Sequence, residues 1–71
     1  MKIFINGDSI DLTTKSDSYV SDALEYYLQK EQQKLTYAVA LNSTFVSKQH
    51  YATTPLTEND SIDILFPIVG G

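Results

Sequence analysis

The residues best placed to do chemistry close the sequence: Gly70 and Gly71, preceded by Ile68 and Val69. Glycine makes up about 7% of an average chain, so a pair in the last two positions is a roughly one-in-two-hundred coincidence. The bland reading is a frayed terminus, since chain ends order poorly. The chemical reading starts from the carboxylate that Gly71 carries. A carboxylate is a weak electrophile, but it becomes a good one when joined to AMP, and for that it must enter another protein's active site. Glycine suits such entry because it has no Cβ and allows close backbone approach. Ile68 and Val69 are β-branched and stiff, so a threading tail of Ile68, Val69, Gly70 and Gly71 is expected to be extended.

Other chemistry is hard to assemble. The 71 residues contain no cysteine, which removes disulfides, thiolate metal sites and a catalytic thiol. His50 is the only histidine, has no second histidine or cysteine to share a metal with, and reads as an exposed loop residue. No phosphate-binding glycine loop and no Ser/His/Asp set is present. Asp60 and Asp63 could be imagined as paired carboxylates; the simpler reading makes Asp60 a turn residue and puts Asp63 on the wet side of a strand. The five tyrosines lack the basic groove of a base-stacking platform, and a net charge of −4 argues against nucleic acid as a partner. The opening residues are too few for a signal-peptide core and no apolar run approaches a membrane span, so no membrane association is expected and the cytoplasm is the expected compartment. The chain therefore reads as a protein with no catalytic residues of its own and no bound cofactor or metal, whose reactive group is the carboxylate of Gly71.

The elements that must present that terminus follow from periodicity. Residues 1–13 predict a hairpin around Asn6-Gly7, a dipeptide that accepts the positive φ of a type I′ turn: Ile3 and Ile5 alternate with Lys2, Phe4 and Asn6, and Ile10 and Leu12 with Ser9 and Asp11. Residues 18–31 predict the main helix, with Val20, Leu24, Tyr27 and Leu28 on one face and Ala23 beside them. Ser16, Asp17 and Ser18 offer N-cap oxygens, and Asp22 and Glu25 suit its early turns. Residues 36–47 return to strand character, with a turn at Asn42-Ser43 and a short strand at Phe45-Val46. Residues 47–60 read as loop, plugged into the core by Leu56. The last strand carries Ile62, Ile64 and Phe66 on one face and stops at Pro67, which has no N–H to donate. Beside the first strand it would be central.

The predicted architecture is a single α+β domain over residues 1–71, a small mixed sheet with one helix on one face, and a flexible tail over 67–71. Ile3, Ile5, Leu24, Leu28, Val39, Leu41, Ile62 and Ile64 are the expected core. Strand parity then sends Phe4, Ala40 and Leu65 to the opposite face, where they are expected to form one exposed apolar patch for a partner at the root of the tail.

The element order, the Asn6-Gly7 hairpin, Leu41-Asn42 followed by Val46, Leu56 and Asp60 ahead of Ile62 and Ile64, and Gly70-Gly71 together resemble the β-grasp, ubiquitin-like sulfur carriers, and most closely the ThiS family of thiamine biosynthesis. The resemblance spans nearly the whole chain, with Gly70-Gly71 its one sharp motif. It departs at Glu58-Asn59-Asp60, where the family usually has Asp-Gly-Asp, and at Ser43, where Gly or Gln is common. What it implies is a cycle. An E1-like, ThiF-like adenylating enzyme uses ATP and magnesium to activate the Gly71 carboxylate. A cysteine desulfurase system supplies a persulfide, leaving a thiocarboxylate, and a ThiG-like thiazole synthase takes the sulfur. The carrier is then a co-substrate, not an enzyme, and a monomer when free. Two readings share its fold and terminus: the MoaD-like small subunit of molybdopterin synthase, towards which Phe66-Pro67 leans although those subunits usually run longer, and a ubiquitin-like protein modifier. A plain interaction domain is a third.

Overall fold

A computed structural model describes residues 1–12, 18–28 and 36–66. Alternation is what builds its sheet. Ile3 and Ile5 are fully buried, as are Ile62 and, nearly, Ile64 and Val39, and each sits two residues from the next on its strand. The first strand, β1, is Lys2–Ile5, and the second, β2, is Asp8–Asp11. They pair antiparallel from Lys2 opposite Asp11 to Ile5 opposite Asp8. Asn6 and Gly7 both have positive φ, 50° and 84°, the geometry that the two-residue turn requires.

The helix α1, Val20–Tyr27, buries Val20, Ala23 and Leu24. It begins two residues later than its periodicity predicts, and residues 29–31 of the predicted span lie outside the described residues. Leu28 already has extended backbone, with ψ at 136°, although its amide still reaches the Leu24 carbonyl at 2.9 Å and its side chain is buried. The N-cap is Tyr19, not one of the serines or the aspartate ahead of it; Ser16 and Asp17 lie outside the described residues. The first amides are satisfied from elsewhere. Val20 donates to the Thr54 carbonyl at 3.0 Å and Ser21 to the Tyr51 carbonyl at 2.9 Å. Asp22 does act as expected in the first turn, its carboxylate accepting from the Tyr19 amide at 2.8 Å. A loop distant in sequence thus replaces the side-chain cap, and the Tyr19–Pro55 bridge holds that loop in place.

Two further strands, β3 (Ala38–Leu41) and β4 (Thr44–Val46), form the second hairpin, turning through Asn42 and Ser43 at φ 49° and 72°. A 3₁₀ turn, Lys48–His50, follows. The last strand, β5 (Ser61–Leu65), lies between β1, to which it is parallel, and β3, to which it is antiparallel. The sheet order is β2-β1-β5-β3-β4, so the last strand is central. This is the mixed sheet with one helix that the sequence predicts. The helix packs on one face, and Leu12, Leu28 and Leu56 close the core around it. Of the expected core only Leu41 differs: it is half-buried, packed against the cluster from the side. Among the described residues no helix is long and apolar enough to cross a membrane.

Candidate functional site

The expected tail residues Ile68, Val69, Gly70 and Gly71 lie outside the described residues, and the site that the structure does describe is the strand that leads to them. On the sheet's open face, parity works as expected: Phe4, Ala40 and Leu65 all point away from the helix side. They do not form one patch. Phe4 stands opposite Ser61, whereas Ala38 stands opposite Leu65. Ser61 and Leu65 are separated by four steps along β5, about 13 Å at ~3.3 Å per residue, and Ser61 and Asp63 share that face between them. Phe4 is half-buried, with the Lys2 ammonium 5.3 Å from its ring centre. Ala40 is only 7% exposed, because a methyl flanked by Phe45 and Asp63 in register has little surface of its own to offer.

Of the exposed large apolar side chains among the described residues, Leu65 and Phe66 adjoin at the end of β5, Phe45 stands on β4 opposite Ala40, and Tyr26 lies on α1. Leu65 is 54% exposed, Phe66 37% and Phe45 71%. Phe45 was readable from sequence: a two-residue turn at Asn42-Ser43 pairs Leu41 with Thr44 and so sets Phe45 opposite Ala40. Once Ala40 is placed on the open face, Phe45 must be there too.

At the root of the tail, Ala38 and Leu65 are the last pair between β3 and β5. One step further, the rings of Tyr37 and Phe66 meet edge to face, with centroids 5.7 Å apart and planes at 68°. Tyr37 in turn lies parallel to Tyr51, at 6.3 Å and 6°. Phe66 was expected to share the buried face of Ile62 and Ile64. Its ring instead sits at the end of the sheet, against Tyr37, beside a hollow lined by Thr36, Tyr37, Ala38, Leu65 and Phe66. Burial, with the neighbouring Tyr37 second, raises the pKa of the Tyr51 phenol.

The opposite end of β5 is polar. Asp60 is buried and accepts three hydrogen bonds, from Thr57 N–H at 2.7 Å, the Thr57 hydroxyl at 3.1 Å and Asn42 Nδ2 at 3.0 Å. The other side-chain atom of Asn42, Oδ1, accepts from the Ser61 amide at 3.0 Å. Burial by itself would raise the Asp60 pKa, but the bonds from Asn42 and Thr57 outweigh it and hold the carboxyl below its ordinary value. Asn59 takes the left-handed conformation, at φ 69°, and its amide donates to the Lys2 carbonyl at 2.7 Å. Midway along β5, Asn6 Oδ1 accepts from the Ile64 amide at 2.7 Å, so one residue both makes the first turn and anchors the last strand.

Asp60 and Asp63 are not a catalytic pair: the first is enclosed in this network and the second is exposed on the open face. His50 is exposed, its Nδ1 2.7 Å from the Ser47 hydroxyl. Among the described residues no three His, Cys, Asp or Glu side chains gather as a metal would require.

The model of the ThiS family matches residues 3–71. In fold the chain is similar to the crystal structure of a thiamine biosynthesis protein, ThiS, from Geobacter metallireducens, with a TM-score of 0.75 and 20% identity over 100% of both chains. It is also similar to the NMR solution structure of a thiamine biosynthesis protein from Geobacter metallireducens, with a TM-score of 0.69 and 18% identity over 100% of this chain and 88% of that one. No curated protein matches the chain.

Proposed function

The chain belongs to the ThiS family, and from that premise we propose that it is a sulfur carrier for thiazole formation in thiamine biosynthesis, acting through the carboxylate of Gly71. The observation that carries the reading is the family match, which runs through β5 to Gly70 and Gly71. In the proposed cycle a Gly71 carboxylate oxygen attacks the α-phosphorus of magnesium-bound ATP on a ThiF-like adenylating enzyme, and pyrophosphate leaves. A persulfide sulfur from a cysteine desulfurase system then attacks the acyl carbon, and AMP departs with the original oxygen. Thiol cleavage of the resulting S–S bond leaves a thiocarboxylate, a soft nucleophile that a ThiG-like thiazole synthase accepts. All catalysis belongs to the partners; the carrier supplies the carboxylate and the surface by which it is held.

That surface is centred on the adjoining Leu65 and Phe66 at the end of β5, with Ala40 and Phe45 further along the open face. Large exposed apolar side chains in one neighbourhood mark a contact site, and this one adjoins the root of the tail. Phe4, about 13 Å along the strand, stands outside it.

Intact mass measurement of protein purified from its native cells tests the chemistry. The expected result is a fraction of molecules in which one oxygen is replaced by sulfur. Purified carrier incubated with the adenylating enzyme and ATP should give the acyl-adenylate, and Gly70→Val, or one residue added after Gly71, should abolish it. A native protein with no thiocarboxylate, found joined through Gly71 to lysines of other proteins, would replace this reading with that of a protein modifier.

A further inference from the structure

We infer that Tyr37 is a positioning residue: braced on Tyr51, its ring holds Phe66 and so sets the direction in which the chain leaves β5 towards Gly71. The inference rests on the carrier reading above and extends it to Tyr37, a half-buried residue behind Phe66.

The register places the two rings. Ala38 and Leu65 are paired, so Tyr37 and Phe66 stand opposite each other one step past the end of β5. The edge-to-face geometry, 5.7 Å and 68°, falls within the range that aromatic pairs favour. Filling the core does not account for Phe66. Ile62 is fully buried and Ile64 nearly so, whereas Phe66 keeps more than a third of its surface in solvent and finds Tyr37 as its ring partner.

Tyr37 is itself held from behind. Tyr51 lies parallel to it, and the Tyr51 backbone is fixed at both polar groups: its amide donates to the Lys48 carbonyl at 3.2 Å and its carbonyl accepts from Ser21 at 2.9 Å, in the first turn of α1. A continuous line of contacts thus runs from the helix start through Tyr51 and Tyr37 to Phe66. The lever it controls is long. Five residues follow Phe66 and reach at most about 17 Å. A tilt of about 20° at the root would move a fully extended end by up to ~6 Å, whereas a misplacement of ~1 Å is costly in a reacting centre. A root that samples several directions is a substrate only for the fraction of time it points correctly, which weakens its apparent binding by that fraction.

The experiment is steady-state adenylation by the ThiF-like enzyme, with the carrier as varied substrate, alongside thermal melts and backbone NMR order parameters of the free carrier. For Tyr37→Ala we expect kcat/KM to fall about tenfold through KM, with kcat within twofold of wild type. Tyr37→Phe, which keeps the ring and loses only the hydroxyl, should stay within twofold in both. Phe66→Ala, which also removes a contact of its own, should lose at least as much as Tyr37→Ala, and the double variant no more than Phe66→Ala alone. Should Tyr37→Ala fail to melt cooperatively, Tyr37→Leu, which keeps apolar bulk without the ring, should show the same loss. In the free carrier, the order parameter of the Phe66 amide should drop on Tyr37→Leu. The inference is overturned by a kcat/KM within twofold of wild type for folded Tyr37→Ala or Tyr37→Leu, by losses at Tyr37 and Phe66 that multiply, or by an unchanged Phe66 order parameter. An enzyme that refuses wild-type carrier, while the order parameter falls as expected, would overturn the carrier reading and leave the positioning role standing.

Discussion

At its Ser61 end, β5 is tied down by directional hydrogen bonds: Asn42 and Thr57 donate to Asp60, Asn42 accepts from the Ser61 amide and, further along, Asn6 accepts from the Ile64 amide. At its Leu65 end it is held by rings, Phe66 on Tyr37 on Tyr51, with Leu65 open to solvent. The contrast has a physical basis. Hydrogen bonds to a buried carboxylate reward one arrangement and penalise others heavily, so they suit the end where register has to be set. Aromatic and aliphatic side chains contribute through area and tolerate new neighbours, which is what the proposed docking at that end would require. One strand is held by polar bonds at its start and leaves apolar side chains exposed at its finish.

The largest effect should come from removing the polar anchor. Asp60→Ala takes away the acceptor of three hydrogen bonds and leaves the Thr57 amide and Asn42 Nδ2 without it in a partly buried site. Bonds to a charged group contribute about 1.5–3 kcal/mol each and do not add fully, so a loss of about 2–4 kcal/mol in urea denaturation is expected. That is a large share of the stability of a small domain. A loss below about 1 kcal/mol would mean that the two ends of β5 are not held differently after all.

Acid should do by degrees what that substitution does outright. The folded-state pKa of Asp60 is depressed. Its contribution is therefore fully present above the ordinary carboxylate pKa, near about 4, and is lost as pH falls from there through the folded value. Other carboxylates titrate in the same window, so the measurement is a difference: melting temperature against pH for wild type minus that for Asp60→Asn, which keeps the shape and removes the titration. The difference should shrink as pH drops below about 4. A difference independent of pH would show that Asp60 is not held ionised by its partners.

At the other end the expected effect is on binding, not folding. Leu65→Glu, on a side chain 54% exposed, should leave the melt nearly unchanged and weaken calorimetric binding to the adenylating enzyme at least tenfold, about 1.4 kcal/mol. Phe4→Glu, at the far end of the same face, should weaken it less. Equal losses at the two positions would restore the single broad patch that parity alone suggests; no loss at either would mean that the tail is recognised by itself.

Both ends of β5 were partly legible in the sequence, for different reasons. Ile62 and Ile64 announce their face because period-two alternation is local, and Asn6-Gly7 announces its turn because few other dipeptides accept positive φ twice. Gly70-Gly71 is legible because it is rare. The depth of Asp60 was not: it reads as a turn residue, which it is, and only the return of Asn42 from another hairpin turns it into a buried junction. The helix cap was hidden in the same way, since Ser21 and Val20 are satisfied by carbonyls thirty or more positions away. Ala40 was placed on the correct face, but its exposure depended on the size of Phe45 and Asp63 beside it. Alternation gives direction; exposure is decided by neighbours that the register must first bring together.

The smallest expected effect separates two adjacent residues at the polar end. Asn42 and Ser43 both have positive φ, a region that side chains with a Cβ enter at a cost. Asn42 offsets that cost with two side-chain hydrogen bonds, to Asp60 and from Ser61. Ser43 is exposed and its hydroxyl takes no part in that network. Ser43→Gly relieves the backbone but also gives the unfolded chain more freedom, which opposes folding. At φ 72° the relief should exceed the entropy term, for a net gain of about 0.5–1 kcal/mol. Asn42→Gly relieves the same kind of strain and loses both bonds, so it should destabilise by about 1–2 kcal/mol. Opposite signs from the same substitution at neighbouring positions would locate the anchor of β5 in the Asn42 side chain, not in the turn itself. If Asn42→Gly stabilised as Ser43→Gly does, the turn backbone alone would be setting the register, and the polar end would owe little to its hydrogen bonds.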